Sequence, residues 1–325
     1  MIADDKVYGR EQVEDPLLVE LINSPELIRL KSISQYGLPP ELYHKEGFSR
    51  YEHSVGVLIL LRRLGADLKE RAAGLVHDAS HTAFSHVVDW VVGDPAREDY
   101  QDRTFLEFLK KSSLKGIFDR YSINYKEIGN LGNFSLLERE LPELCADRFD
   151  YTVREMLGFE SRDVIERIVG NVQNENGLMV FKSRGVAELF SAGFMECQEE
   201  HWGGDEAKAR YHIFSEAIRL AIRRRYICFE DLMGTDMEVV AKLEASQDDS
   251  ILASLGLLRG GFKIERAAEN EGIFLLKKYR HIDPLVSVNG SLKNLSEISE
   301  EYARHLSFSK LENEKRKRVL IKPIN

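Results

Sequence analysis

Four side chains offer what a divalent ion needs: His53 in SRYEHSVGV, the doublet His77-Asp78 in AGLVHDASHTAFSH, and Asp147 in CADRFDY. Imidazole nitrogen together with carboxylate oxygen suits a borderline metal such as Mn, Fe, Co, Ni or Zn. Adjacent His and Asp on a helix point about 100° apart, so both reach one ion lying over that helix's flank. His53 falls in the early turns of one buried helix, and Asp147 lies on a helix far later in the chain. A bundle brings three such helices together around one ion. Taken alone, His53 reads more simply as a satisfied core histidine; with the others it reads as a ligand, because an unpaired Asp78 on a buried helix is costly. Asp150 competes with Asp147 for the later position, since helical spacing separates them by nearly one turn.

The elements that must position these groups are mostly helices. Residues 14–36 show helical spacing broken by Pro25, with Leu17, Leu21, Leu27 and Leu30 as core positions. After the loop GLPPELYHKEG, Ser49 and Glu52 form an S-x-x-E capping box. The stretch Val55 to Leu64 is apolar on nearly every face, which places that helix inside a bundle. Further helices are expected over residues 69–80, 85–92, 100–110 and 144–157, with no strands in the first half. In the second half, 161–170, 186–200, 206–230 and 236–257 read as helices, Asn176-Gly177 as the turn of a small hairpin, and 258–290 as a few short strands. The terminal KRKRVLIK fits an edge strand or a mobile tail, its Lys315–Arg318 run a solvated face or a contact to an anionic nucleotide in an oligomer. The expected architecture is mainly α: a helical metal-site core over residues 1–160, and a mostly helical extension with short β elements over 161–325, packed on the core.

Composition narrows the partners. Of 325 residues, 43% are hydrophobic and 30% charged, as in a soluble globular protein. With 45 Lys plus Arg against 54 Asp plus Glu the net charge is -9, which argues against broad nucleic-acid binding. Cys145, Cys197 and Cys228 are scattered and form no CxxC, as expected of reduced thiols in a cytoplasmic protein. The longest apolar run, Val55 to Leu61, is far short of the ~20 residues of a membrane span. The first residues, MIADDKVYGREQVEDP, do not resemble a signal peptide.

The ordered set resembles the HD-domain phosphohydrolase superfamily, whose signature is H…HD…D on a helical bundle. The strings R-Y-E-H-S-V-G-V, H-D-x-x-H-x-x-F-S-H and A-D-R-F-D-Y are similar to the dNTP triphosphohydrolase (dGTPase / SAM-and-HD-domain) branch over residues 25–160. The resemblance implies that His53, His77, Asp78 and Asp147 hold one divalent transition metal per chain, with Mg a further ion alongside the substrate. It implies attack at the α-phosphorus of a deoxynucleoside triphosphate, release of triphosphate, and a homo-oligomer. It also implies that Arg50 contacts phosphate, that His81 and His86 act near the scissile bond with Asp89 orienting a histidine, and that Gln35 and Tyr36 touch the sugar. Arg148 and Tyr151 would hold phosphate and deoxyribose, and Arg210 and Tyr211 stand where they could reach phosphate. One departure is local. The branch follows with W-x(n)-H-E, whereas the stretch after Trp90, VVGDPAREDYQDRTF, has no histidine; Tyr100, Gln101 or Asp102 would fill that space. The open alternatives are an HD-type nucleotidase or phosphodiesterase and a non-catalytic nucleotide-binding regulator.

Overall fold

The computed structural model describes residues 1–93, 95, 97–268, 271–275, 278–314 and 318–324. The chain opens on an antiparallel hairpin, β1 (Ile2–Asp5) and β2 (Gly9–Gln12). It continues through α1 (Pro16–Ile22), α2 (Pro25–Arg29), α3 (Arg50–Arg63), α4 (Leu68–Val76), α5 (Val87–Val92), α6 (Tyr100–Lys111), α7 (Ser113–Arg120), α8 (Tyr125–Ile128), α9 (Ala146–Met156) and α10 (Arg162–Val169). The hairpin β3 (Val172–Glu175) and β4 (Leu178–Phe181) turns at Asn176 and Gly177, both at positive φ. Then come α11 (Arg184–Glu196), which runs on as a π-helical turn over Cys197–Trp202, α12 (Asp205–Arg223), α13 (Asp236–Ala245) and α14 (Asp249–Gly260). Strands β5 (Phe262–Arg266), β6 (Ile273–Phe274), β7 (Leu285–Val288) and β8 (Ser291–Asn294) precede α15 (Leu295–Ile298), α16 (Glu300–Glu314) and β9 (Arg318–Pro323). Among the described residues no helix is long and apolar enough to cross a membrane.

Three elements frame the site. The α3 helix starts at the expected capping box, with Ser49 accepting from Glu52 N and Glu52 from Ser49 N. From His53 to Leu61 every residue of α3 is buried, so it runs through the centre of the bundle. The α4 helix packs beside it through Gly74, where a Cβ would lie 2.3 Å from Leu61 Cδ1. The α9 helix crosses α3 on another side. Leu17, Leu21, Leu27 and Leu30 are fully buried, as their spacing predicts.

Three expectations need correction. The helix expected over 69–80 ends at Val76; His77 is its C-cap and Asp78 lies in the turn that follows. The turn is held from outside the helix, because the Arg29 guanidinium donates to the carbonyls of Ala79 (3.1 Å), His81 and Gly234 (3.0 Å). The first half also holds a strand pair, β1–β2, which a period-two pattern does not reveal because one of its two buried residues is charged Asp5. Finally, β9 is the middle strand of its sheet, between β5 and β6: Val319 pairs with Arg266 on one side and with Ile273 on the other. Lys315, Arg316 and Lys317 of the basic run lie outside the described residues.

The second half buttresses the first through Asp236, at the start of α13. Its buried carboxylate accepts the backbone N–H of Ser34 and of Phe84, each at 2.8 Å, and so ties together the loops that carry Gln35 and Ser85. Asp236→Ala is expected to cost about 2–5 kcal/mol, because two buried amides lose their acceptor. Urea denaturation of the variant checks this, and a change below about 0.5 kcal/mol would contradict it.

Candidate active site

The expected ligands converge. His53 Nε2 lies 2.9 Å from Asp147 Oδ1 and 3.2 Å from His77 Nε2, and His77 Nε2 lies 3.3 Å from the same Asp147 oxygen. Asp78 completes the group, its Oδ1 3.5 Å from His77 Nε2 and its Oδ2 3.8 Å from His53 Nε2. Neighbouring ligands of an octahedral ion with bonds of about 2.1 Å sit about 3 Å apart, so these separations fit one ion.

The other nitrogen of each ring decides what the cluster presents. His53 Nδ1 faces Asp150 Oδ2 at 2.8 Å, and His77 Nδ1 faces the Gly74 carbonyl at 2.7 Å. Each acceptor draws the proton to Nδ1 and turns the Nε2 lone pair inward. With each ring carrying only its Nδ1 proton, the form a metal ligand needs, two lone pairs meet the Asp147 carboxylate, and a cation satisfies all three. Asp150, the alternative ligand in the sequence, is instead the group that orients His53. Gln101, at the start of α6, donates to the His77 carbonyl at 2.5 Å. Of the residues offered for the space after Trp90, Tyr100 gives its N–H to Asp89 at 3.0 Å, and Asp102 is exposed.

Two other groups of His, Cys and acid side chains come close together among the described residues, and each already has a cation. In Glu138, Cys145 and Asp147, the Arg148 guanidinium donates to Glu138 at 2.9 Å and to Cys145 Sγ at 3.1 Å. In Glu155, Cys197 and His201, the Lys45 ammonium lies against His201 Nε2.

Electrostatics separates the histidines. Burial works against the charged form of His77, but Asp78 and Asp147 outweigh it and hold its pKa up at about 9 in the ion-free chain. His53 is raised in the same way by Asp147 and Asp150, again against burial. Burial opposes ionisation of Asp147 as well, yet its bonds to His53 and His77 hold its pKa well below the usual carboxylate range. His81 goes the other way. Burial first, and then the Arg50 guanidinium, push it down to about 3. The neutral ring is favoured, with Nε2 3.3 Å from Asp78 Oδ1.

A cleft abuts the cluster, lined by aromatic Tyr36, Tyr43, Phe48, Tyr151, Trp202 and Tyr211 and by polar Gln35, Arg50, His86, Glu98, Glu155, Lys208 and Arg280. Arg50 links cluster and cleft, donating to Asp78 Oδ2 at 2.7 Å and to Ser85 Oγ at 3.0 Å. Tyr151 places its ring 6.2 Å from that of His53. The amide oxygen of Gln35 is buried without a partner, so it is available to a ligand's donor. His86 faces the cleft, its Nδ1 3.4 Å from Asp89 Oδ2. Arg148 does not line the cleft; Glu138 and the Glu143 carbonyl hold it. Arg210 is structural, bound to Glu206 and to the carbonyls of Leu42 and Leu258. Tyr211 lines the cleft but donates to the Tyr36 carbonyl.

Sequence reasoning missed Tyr43, Phe48, Glu98, Glu155, Trp202, Lys208 and Arg280. Glu98 stood in the stretch already noted for its lack of histidine. The others carry no local signal, and only the packing of the loop before α3, α9, the turn after α11, α12 and the 278–281 segment collects them.

The HD domain family matches residues 50–117. A Bacillus subtilis protein, YdhJ, is 34% identical across 93% of this chain and 93% of its own length; it is uncharacterized. The metal-dependent phosphohydrolase cns2 of Cordyceps militaris is 35% identical over 62% of this chain and 61% of its own. The deoxynucleoside triphosphate triphosphohydrolase SAMHD1 of Gallus gallus is 35% identical over 39% of this chain, which spans only 24% of that protein. A solved phosphohydrolase structure from Bacteroides thetaiotaomicron superposes over both whole chains with a TM-score of 0.69 at 19% identity, which shows a shared fold.

The raised pKa of His77 has a consequence for metal uptake. Below about pH 9 its imidazole holds a proton in the ion-free chain, and an ion must displace it. Affinity for Mn²⁺ is expected to rise with pH up to about 9 and then level off, with proton release on binding at pH 7. Calorimetry at pH 7 in buffers of different ionisation enthalpy measures that release; buffer-independent heat would contradict it.

Proposed function

The chain belongs to the HD-domain phosphohydrolase superfamily, and from that premise we propose that it hydrolyses a phosphoester of a nucleotide, with deoxynucleoside triphosphate as substrate and deoxynucleoside plus triphosphate as products. The chain is a metal-dependent phosphohydrolase. The observation that carries the finer reading is the joint between the acceptor cluster and a cleft with aromatic walls and an unsatisfied amide at Gln35. Aromatic faces suit a nucleobase or sugar, and Arg50 stands where the phosphates would enter. The partial likeness to SAMHD1 supports the same substrate class.

His53, His77, Asp78 and Asp147 would hold the ion, which when bound polarises the phosphoryl group and makes water a stronger nucleophile. Arg50 neutralises charge on the phosphate and keeps Asp78 aligned. His81, neutral and buried, steadies Asp78 from its other side. His86, held by Asp89 at the cleft wall, is the group placed to give a proton to the leaving oxygen. Tyr151 and Gln35 bracket the sugar, and Tyr36 closes the cleft beside them.

A second reading has its own support. Lys208 and Arg280, cations on the cleft wall, both pair with the buried carboxylate of Glu98. With Arg148 bound to Glu138, that leaves less positive charge for a triphosphate than for a single phosphate group. A nucleotidase acting on a phosphomonoester fits this balance.

His77→Ala with Asp78→Ala is expected to lose the metal and to lower turnover by about three orders of magnitude; turnover retained in that double variant would sink the assignment. Incubation with Mn²⁺ and each dNTP, resolved by ion-pair chromatography, is expected to yield deoxynucleoside and triphosphate. Orthophosphate from nucleoside monophosphates, with dNTPs untouched, would establish the second reading instead.

A further inference from the structure

A chain of buried charges leads away from the cluster to the N-terminal hairpin. His53 Nδ1 donates to Asp150 Oδ2 at 2.8 Å. The Arg154 guanidinium clamps that carboxylate from the next turn of α9, with Nε 2.6 Å from Oδ2 and Nη2 3.2 Å from Oδ1. The same Nη2 donates to Asp5 Oδ2 at 2.6 Å. All four are buried: His53 and Asp150 are 0% exposed in their side chains, Arg154 and Asp5 3%. Asp5 is fixed in turn, because its Oδ1 accepts the N–H groups of Val7 (2.8 Å) and Tyr8 (2.9 Å). Gly56 is a second, independent sign of close fit. A Cβ there would lie 1.8 Å from Arg154 Nη2 and 2.2 Å from Asp150 Oδ1, so the α3 backbone presses directly on the pair.

We propose that Asp5 is a positioning residue of the metal centre: through Arg154 and Asp150 it sets the ring orientation, tautomer and ligand strength of His53. The reason is charge balance. Asp150 with Arg154 alone is a neutral pair, and a neutral pair does little to strengthen an imidazole as a ligand. Asp5 makes the trio net negative, so Asp150 keeps electron density for the His53 N–H and raises the basicity of Nε2. Asp5 also holds the guanidinium in place; Arg154 has a flexible stem and without that second acceptor would lose its fork geometry. The hairpin, some 150 residues before α9 in sequence, thereby becomes part of the metal site.

The inference rests on the reading of His53, His77, Asp78 and Asp147 as ligands. Zn²⁺ serves as the probe, with affinity from chelator competition and the His53 Nδ1–H resonance from ¹⁵N-histidine spectra of the Zn²⁺-loaded full chain. Asp5→Asn is expected to weaken Zn²⁺ binding roughly ten- to hundredfold and to move that resonance upfield. Asp5→Glu keeps the charge and should recover most of the affinity. Arg162→Ala is the control, since Arg162 anchors the same hairpin through the Lys6 carbonyl at 2.7 Å without joining the charge chain; it should leave Zn²⁺ affinity unchanged. Unchanged affinity and resonance in Asp5→Asn overturn the proposal, as does equal weakening in Arg162→Ala, which reduces the effect to hairpin packing. Should Asp5→Asn fail to fold, Asp5→Glu and Arg162→Ala still decide: Asp5→Glu must bind Zn²⁺ and show the resonance near its wild-type position, or the proposal fails. Zn²⁺ binding that survives in the chain carrying His77→Ala with Asp78→Ala removes the ligand assignment itself, and this inference with it.

Discussion

Two imidazole lone pairs and a carboxylate oxygen lie within 3.3 Å of one another at the centre of this protein, and groups of that kind repel unless a cation or protons lie between them. Much of the buried polar architecture serves to hold them there. The Gly74 carbonyl and Asp150 fix the tautomers of the two rings, and Gln101 fixes the carbonyl of His77. Arg50 and His81 flank Asp78 from two sides. These groups are too buried to exchange partners with water, so the geometry is set before any ligand arrives.

The same demand explains why α3 is apolar almost all round yet begins with Arg50 and His53. Its first turn faces the cluster and the cleft, while the rest of it is core. It also explains the early end of α4. A helix continued through Asp78 would carry the carboxylate along its own surface; ending at Val76 lets the following turn fold back, with Arg29 taking the carbonyls of Ala79 and His81 in that turn and just after it. The end of a helix thus becomes the turn that carries Asp78, held by one half-buried guanidinium.

The cleft beside the cluster is balanced differently. Its walls are aromatic, and several of its charges are already paired: Glu98 with Lys208 and Arg280, Glu155 with His201 and the indole N–H of Trp202. Internal pairing of this kind lets a cleft stay formed without ligand, at the cost of cations that a polyphosphate would otherwise use. In the proposed reading the cleft decides how many phosphates the substrate carries, and the cluster supplies the chemistry at phosphorus.

Spacing and residue type alone determined the helical bundle, its capping box at Ser49 and Glu52, the hairpin at Asn176-Gly177 and the four groups that converge. Each of these is a local or periodic property: a cap is read over four residues, a buried helix over ten, and HD is a dipeptide between recognisable flanks. The choice between Asp147 and Asp150 was not local. Both lie on nearly the same face of α9, and only the position of α3 sends one carboxylate to Nε2 and the other to Nδ1 of the same ring. Arg148, next to Asp147, turned to Glu138, while Glu155, Lys208 and Arg280 reached the cleft from elements that share no sequence pattern with it. Asp5 lies furthest from what a sequence can announce. It is an ordinary acid in a short hairpin until tertiary packing sets it against Arg154, because the energy of a buried charge depends on which partners the fold brings within about 3 Å and not on its neighbours along the chain.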